Sequence, residues 1–155
     1  MIYLLGGRVG SGKSTFARRQ LACPCLSCDT LLLRLFPPYL GERHSEIQGK
    51  CTAYLMDLAA ELSRNGSDVA LDFGFWTRQS RKEAKAFFAA LGLDARLYYF
   101  DLPERRRLER LHERDKAISE GQVRDCYPMG GGLRELLDAR FEAPLPSEVD
   151  VWIMG

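Results

Sequence analysis

The chain has 155 residues, 46% hydrophobic and 28% charged, with a net charge of +1. That length can bury a full core, and the near-neutral balance excludes a global field for nucleic acid or anionic membrane. No apolar run approaches the roughly 18 residues needed to span a bilayer. Met1 runs directly into the first apolar segment, leaving no room for a signal peptide, so a cytoplasmic location is expected.

In chain order, Ile2–Leu5 reads as a strand and Lys13–Leu21 as a helix. Cys25–Cys28 is a weak strand, followed by a helical piece through Leu35 that Pro37-Pro38 breaks. Glu46–Arg64 is a long helix, with Ile47, Tyr54, Leu55, Leu58 and Leu62 largely on one stripe. Asn65-Gly66 closes it with a left-handed cap. Val69–Leu71 is a strand, Arg78–Leu91 a helix closed by Gly92, and Ala95–Phe100 a strand. Pro103–Glu120 is a charged helix closed by Gly121. The Gly130-Gly131-Gly132 loop leads into a helix near Leu133–Phe141, and Val149–Met154 is the last strand. Strands separated by helices imply right-handed crossovers and a parallel α/β sheet of about five strands, flanked by helices in three layers. No linker or repeat divides the chain, so one domain over residues 1–155 is expected.

The five cysteines (Cys23, Cys25, Cys28, Cys51, Cys126) are an odd set and are expected as thiols in a reducing compartment. Cys23-Pro-Cys25-Leu-Ser-Cys28 suggests zinc, but no second ligand pair completes such a site. Cysteine also serves as a small buried hydrophobe.

The informative stretch runs from Gly7 to Ser14. Gly7-Arg-Val-Gly10-Ser11-Gly12-Lys13-Ser14 matches G-x-x-x-x-G-K-[ST] at every fixed position, between a strand and a helix. Its glycines permit backbone angles that aim N–H groups inward, and the helix start adds partial positive charge. Lys13 would reach the outer phosphates of a nucleoside triphosphate, Ser14 would ligate magnesium, and Thr15 completes the cradle. The motif makes the fold a P-loop NTPase, without specifying the reaction.

Asp29, Asp72 and Asp101 each follow a short apolar run, and strand carboxyl ends converge on the ligand crevice of such a sheet. Asp101-Leu-Pro103-Glu104 reads as a helix N-cap with a capping-box glutamate, a structural role. Asp72, after Val69-Ala-Leu71, sits where magnesium is positioned. The aromatic turn that follows, Phe73-Gly-Phe-Trp76-Thr, has little packing reason outside a pocket. Asp29 is either another N-cap, with Thr30 competing, or a general base for a hydroxyl attacking the terminal phosphate.

Arg106, Arg110 and Arg114 lie four apart on one helix face. Their repulsion is offset either by Glu109 and Glu113 or by a phosphate ligand, which arginine grips with its planar fork. Arg110 or Arg114 is the expected transition-state arginine, and Glu113–Val123 a mobile lid segment.

These residues resemble the small P-loop kinases that phosphorylate a hydroxyl: chloramphenicol phosphotransferase, the zeta-toxin kinases and the polynucleotide 5'-kinase domain, a group in which many members carry the label AAA family ATPase. The resemblance implies a central cradle strand, ATP as donor, Mg²⁺, Asp29 as the base, a lid arginine near the phosphates and an acceptor side lined by Asp72–Arg81, with Asp72, Trp76, Arg78 and Arg81 as substrate contacts. It also implies that Pro144–Glu148 passes near the adenine.

The expected activity is transfer of the γ-phosphoryl group to a hydroxyl of a small molecule, or to a polynucleotide 5'-end, which the net charge favours less. An ATP-binding sensor or hydrolysing switch is the alternative, since no Asn-Lys-x-Asp guanine motif is present. A nucleoside-monophosphate kinase ranks lower, because its acceptor phosphate would rely on Arg34 and Arg43, which flank the Pro-Pro break.

Overall fold

The computed structural model describes every residue except Asp125 and Gly131. Its strands are β1 (Ile2–Gly6), β2 (Cys25–Leu26), β3 (Val69–Gly74), β4 (Ala95–Asp101) and β5 (Val151–Met154). Its helices are α1 (Lys13–Gln20), α2 (Cys28–Leu35), α3 (His44–Arg64), α4 (Arg78–Ala90), α5 (Glu104–Ser119) and α6 (Leu133–Arg140). Every strand pairing is parallel, in the order β2-β3-β1-β4-β5. The strand leading into the cradle is therefore central, with Ile2 opposite Val69 on one side and Ala95 on the other.

Side chains alternate across β1, so its two faces carry separate cores. Ile2 and Leu4 pack with Val69, Leu71, Leu97, Ala59, Ala60 and Phe88 beneath α3 and α4. Leu5 packs with Ala70, Phe100 and Ala17 beneath α1. Burial on both faces explains why the strands read as continuous apolar runs. A third cluster, Cys28, Leu32 and Leu55, fastens α2 to α3.

Three differences from the sequence reading bear on the site. β3 runs three residues further, to Gly74, and Asp72 lies within it. The extension is possible because Gly6 faces Gly74 across a register shift and the Gly7 N–H donates to the Gly74 carbonyl at 2.9 Å. β2 stops at Leu26, and Cys28 is the buried first residue of α2. Asp101 is the last residue of β4, opposite Met154, and does not cap α5: Pro103 occupies the N-cap position with no side-chain hydrogen bond. Of the expected glycine loop, Gly131 lies outside the described residues. No disulfide joins the five cysteines, and among the described residues no helix is long and apolar enough to cross a membrane.

Candidate functional site

The turn between β1 and α1 holds Gly7, Gly10 and Gly12 at φ of +144°, +82° and +98°, conformations in which a β-carbon is costly. Space forbids one as well. A β-carbon on Gly10 would lie 2.7 Å from Leu111 Cγ, one on Gly7 2.8 Å from the Phe100 carbonyl oxygen, and one on Gly12 2.8 Å from an Arg110 guanidinium nitrogen. The loop is thus pressed between the end of β4 and the inner face of α5.

Lys13 is buried, and its ammonium donates to the Gly7 and Arg8 carbonyl oxygens at 3.0 and 2.9 Å, with Ser11 Oγ at 3.4 Å. Burial lowers its pKa, and Arg114 and Arg107 act the same way, while Asp72 and Asp29 oppose them. The Ser14 hydroxyl donates to the Asp72 carboxylate. Ser14 and Thr15 are exposed at the mouth of the loop. Ser14 and Asp72 thus present hard oxygens together, the donor chemistry that a magnesium ion takes.

Asp29 stands in the first turn of α2, but the cap of that helix is Ser27, whose hydroxyl accepts from the Thr30 N–H at 3.3 Å. The alternative of Asp29 as an N-cap is thereby removed, and with it Thr30 as the competing cap. Asp29 is exposed as a residue, but protein around its carboxyl partly displaces water and raises its pKa; Asp72 raises it further, while Lys13, Arg114 and His44 pull it down. A carboxylate poised above its ordinary range suits proton acceptance.

Arg114 donates to the Tyr127 carbonyl at 3.4 Å, while its Nε is buried without a hydrogen-bond partner. Arg110 is exposed with its guanidinium over Gly12. The structure therefore gathers Gly7–Thr15, Asp29, Asp72, Arg110 and Arg114 at one end of the sheet.

Other expected residues are placed differently. Arg81 is buried, donating to Glu148, to the Phe75 carbonyl at 3.1 Å and to the Glu142 carbonyl at 2.9 Å. Its guanidinium ties α4 to the segment before β5, a correction to its reading as a substrate contact. Glu148, through Arg81 and the Lys85 bond to its carbonyl, fixes Pro146–Glu148 against α4. Arg78 is exposed, with its N–H on Glu142 at 2.8 Å. Trp76 lays its indole over Gly74 and accepts from the Glu142 N–H at 2.7 Å. Arg34, in the last turn of α2, lines a separate cavity with Leu33, Gly121, Gln122 and Arg124.

A model of the AAA domain family matches residues 2–125. The chain belongs to the AAA domain family. No curated protein matches it. Among solved structures, Chaetomium thermophilum Kti12 in complex with ADP-AlF3 superposes with a TM-score of 0.68 at 15% identity, covering 100% of this chain and 88% of that one. The Mycobacterium tuberculosis APS kinase CysC, in complex with AMPPNP and APS, gives 0.63 at 17%, covering 99% and 87%. A gluconokinase from Sinorhizobium meliloti 1021 gives 0.62 at 18%, covering 98% and 81%. These likenesses establish a shared P-loop α/β fold.

Three residues of this AAA domain escaped the sequence reading. Arg107 is 2% exposed, grips Asp138 of α6 at 2.8 and 3.2 Å, and donates to the Val9 carbonyl at 3.3 Å. The spacing of Arg107, Leu111 and Arg114 marks the buried face of α5, a signal masked by assigning Arg106, Arg110 and Arg114 to one stripe. His44 opens α3, with its Nδ1 buried and unpartnered and its ring edge-on to Tyr127 at 6.3 Å. His44 and Tyr127 both lie within electrostatic reach of Asp29, a neighbourhood no local pattern announces.

Proposed function

We propose that this AAA domain is an ATP-dependent phosphotransferase that moves the γ-phosphoryl group to a hydroxyl-bearing small molecule. The observation that carries the reading is Asp29: it caps nothing, yet it stands within electrostatic reach of Lys13, Asp72 and Arg114. A first-turn carboxylate that is not the cap of its helix and lies near a phosphate cradle suits a general base. The fold is also that of structures whose names describe an APS kinase and a gluconokinase.

In this reading the amides of Gly7–Thr15 hold the β- and γ-phosphates, and Lys13 leaves the Gly7 and Arg8 carbonyls to bind them. Ser14 and Asp72 would hold Mg²⁺, which neutralises phosphate charge when bound. The acceptor hydroxyl forms a new O–P bond as the bond from the γ-phosphorus to the β,γ-bridging oxygen breaks. Its proton passes to Asp29, ADP leaves, and Arg114 offsets the charge on the transferring group. Arg110, over Gly12, would steady the triphosphate. Orientation is the main service of the site, because phosphoryl transfer needs little covalent help from protein.

The test is a mass-gain screen: ATP, Mg²⁺ and hydroxyl compounds, 5'-OH oligonucleotides included, with wild type and Asp29→Asn. Transfer by wild type, lost in the variant with ATP affinity kept, is expected. Absence of phosphate gain in every class, with ATP still bound, would replace this reading by an ATP sensor or hydrolysing switch.

A further inference from the structure

We propose that His44 is the positioning residue of the base: its Nδ1–H donates to the Asp29 carboxylate and turns it toward the acceptor hydroxyl. The role rests on the phosphotransferase reading, whereas the pairing of His44 with Asp29 can be measured without catalysis. Among the described residues, two buried side-chain nitrogens lack a hydrogen-bond partner, His44 Nδ1 and Arg114 Nε. Both residues stand within electrostatic reach of Asp29. A buried donor without an acceptor is costly, and in a native structure each such deficit has a reason. Here both deficits lie around one carboxylate.

Helix packing fixes where His44 stands. The Cys28 thiol donates to the Gln48 carbonyl at 3.7 Å and accepts from the Thr52 hydroxyl at 3.5 Å. Gln48 and Thr52 follow His44 at successive turns of α3, so the three residues share one stripe. His44 therefore opens the stripe that faces the start of α2, where Asp29 follows Cys28. Tyr127 closes another side, its ring edge-on to the imidazole at 6.3 Å and its carbonyl accepting from Arg114 at 3.4 Å.

The groups that act on Asp29 come from every element around it: Lys13 from α1, Asp72 from β3, Arg114 from α5, His44 from α3, Tyr127 from the segment after α5, and Cys28 beside it. Lys13 and Arg114 offer only donors, and Asp72 already accepts from Ser14. The Asp29 carboxylate is thus the acceptor left for Nδ1–H. Hydrogen bonds at a catalytic site tighten once the reacting groups are bound. One carboxylate oxygen held by His44 leaves the other for the acceptor's proton, the way a hydrogen-bonded partner fixes the orientation of a catalytic group.

The experiment follows the Asp29 carboxyl of the full chain by NMR of labelled carboxyl carbons as pH is raised, in wild type, His44→Ala and His44→Asn. An imidazole is cationic over the range in which a carboxyl titrates. Both variants should therefore raise the Asp29 midpoint by about one pH unit, the scale of one nearby opposite charge. Asparagine sets its amide nitrogen where Nδ1 stands. His44→Asn should thus keep most of the transfer rate near neutrality, while His44→Ala lowers kcat at least about tenfold with KM for ATP unchanged, the scale of one hydrogen bond to a charged group. In Asp29→Asn the His44 ring should titrate at a pH lower by the same amount, because coupling is reciprocal. That titration decides the pairing should His44→Ala fail to fold. An Asp29 midpoint that stays in place, a wild-type kcat in His44→Ala, or an equal kcat loss in both variants overturns the proposal. Reciprocal coupling without phosphate gain in any acceptor class keeps the pair and removes the transferase reading. Transfer that needs Asp29 but is indifferent to His44 does the reverse.

Discussion

Arg107 joins α5 to α6 through Asp138 with both terminal nitrogens, at 2.8 and 3.2 Å, and the same guanidinium holds the Val9 carbonyl of the phosphate loop at 3.3 Å. One side chain thus connects the loop, the arginine helix and the C-terminal layer. Arg107→Met leaves Asp138 without its partner in a partly buried setting, an event that costs roughly 3 kcal/mol. For a domain of this size the melting temperature should fall on the order of 10 °C, and ATP affinity should weaken as the loop loses its brace. Thermal unfolding by circular dichroism and a nucleotide titration check both.

Gly10 has no room for a methyl group against Leu111 and the Arg107 carbonyl, and its φ is +82°. Gly10→Ala therefore combines a left-handed penalty of about 1–2 kcal/mol with displacement of α5. The expected result is lower stability together with at least about tenfold weaker ATP binding, since the loop and its lid are displaced together. Leu111→Ala in the same chain should recover part of the binding, because it removes the nearest obstructing atom.

Asp29 should set the low-pH limb of the transfer rate. Its pKa is raised, first by desolvation and then by Asp72. The base is active when ionised, so the rate should rise with pH through a midpoint above the ordinary aspartate value of about 3.9. Asp29→Asn should lower kcat by about 10²–10⁴-fold and abolish that limb. A pH profile of single-turnover transfer distinguishes this from loss of fold.

Arg114 and Arg110 should separate kinetically. Arg114 lies within electrostatic reach of Lys13 and Asp29, whereas Arg110 covers Gly12. Arg114→Ala should reduce kcat on the order of 10³-fold, with Arg110→Ala acting mainly on KM for ATP. Steady-state kinetics over an ATP series reads the split.

Acid stability should depend on Asp150. Burial alone would raise its pKa, but the Lys85 ammonium at 2.6 Å and the Leu97 N–H at 2.7 Å outweigh it and hold the value low. A carboxyl depressed in the folded state contributes stability that is complete above its unfolded pKa of about 3.9 and is lost as pH falls through the folded value. Asp150→Asn should therefore flatten the loss of stability below about pH 4 while lowering stability near neutrality. Urea unfolding at a series of pH values measures both.

The phosphate loop was legible because its requirements are local: glycines where φ is positive, a lysine at fixed spacing, and a helix that must begin there. The order of strands and helices followed from apolar runs and their punctuation for the same reason. Other assignments depended on partners far along the chain. Arg81 looks like a substrate contact in sequence, yet Glu148, 67 residues away, consumes it. Asp101 carries every local mark of a cap, but strand pairing with Met154 keeps it in β4. Which arginines of α5 face inward was decided by the closeness of Gly10 to Leu111, and the setting of Asp29 by Ser27 taking the cap and His44 and Tyr127 arriving from other segments. Backbone geometry and hydrophobic period are written residue by residue, so sequence alone determined the cradle and the layers. The surroundings of a charged side chain are set by which distant segments pack against it, and only the tertiary structure decided those.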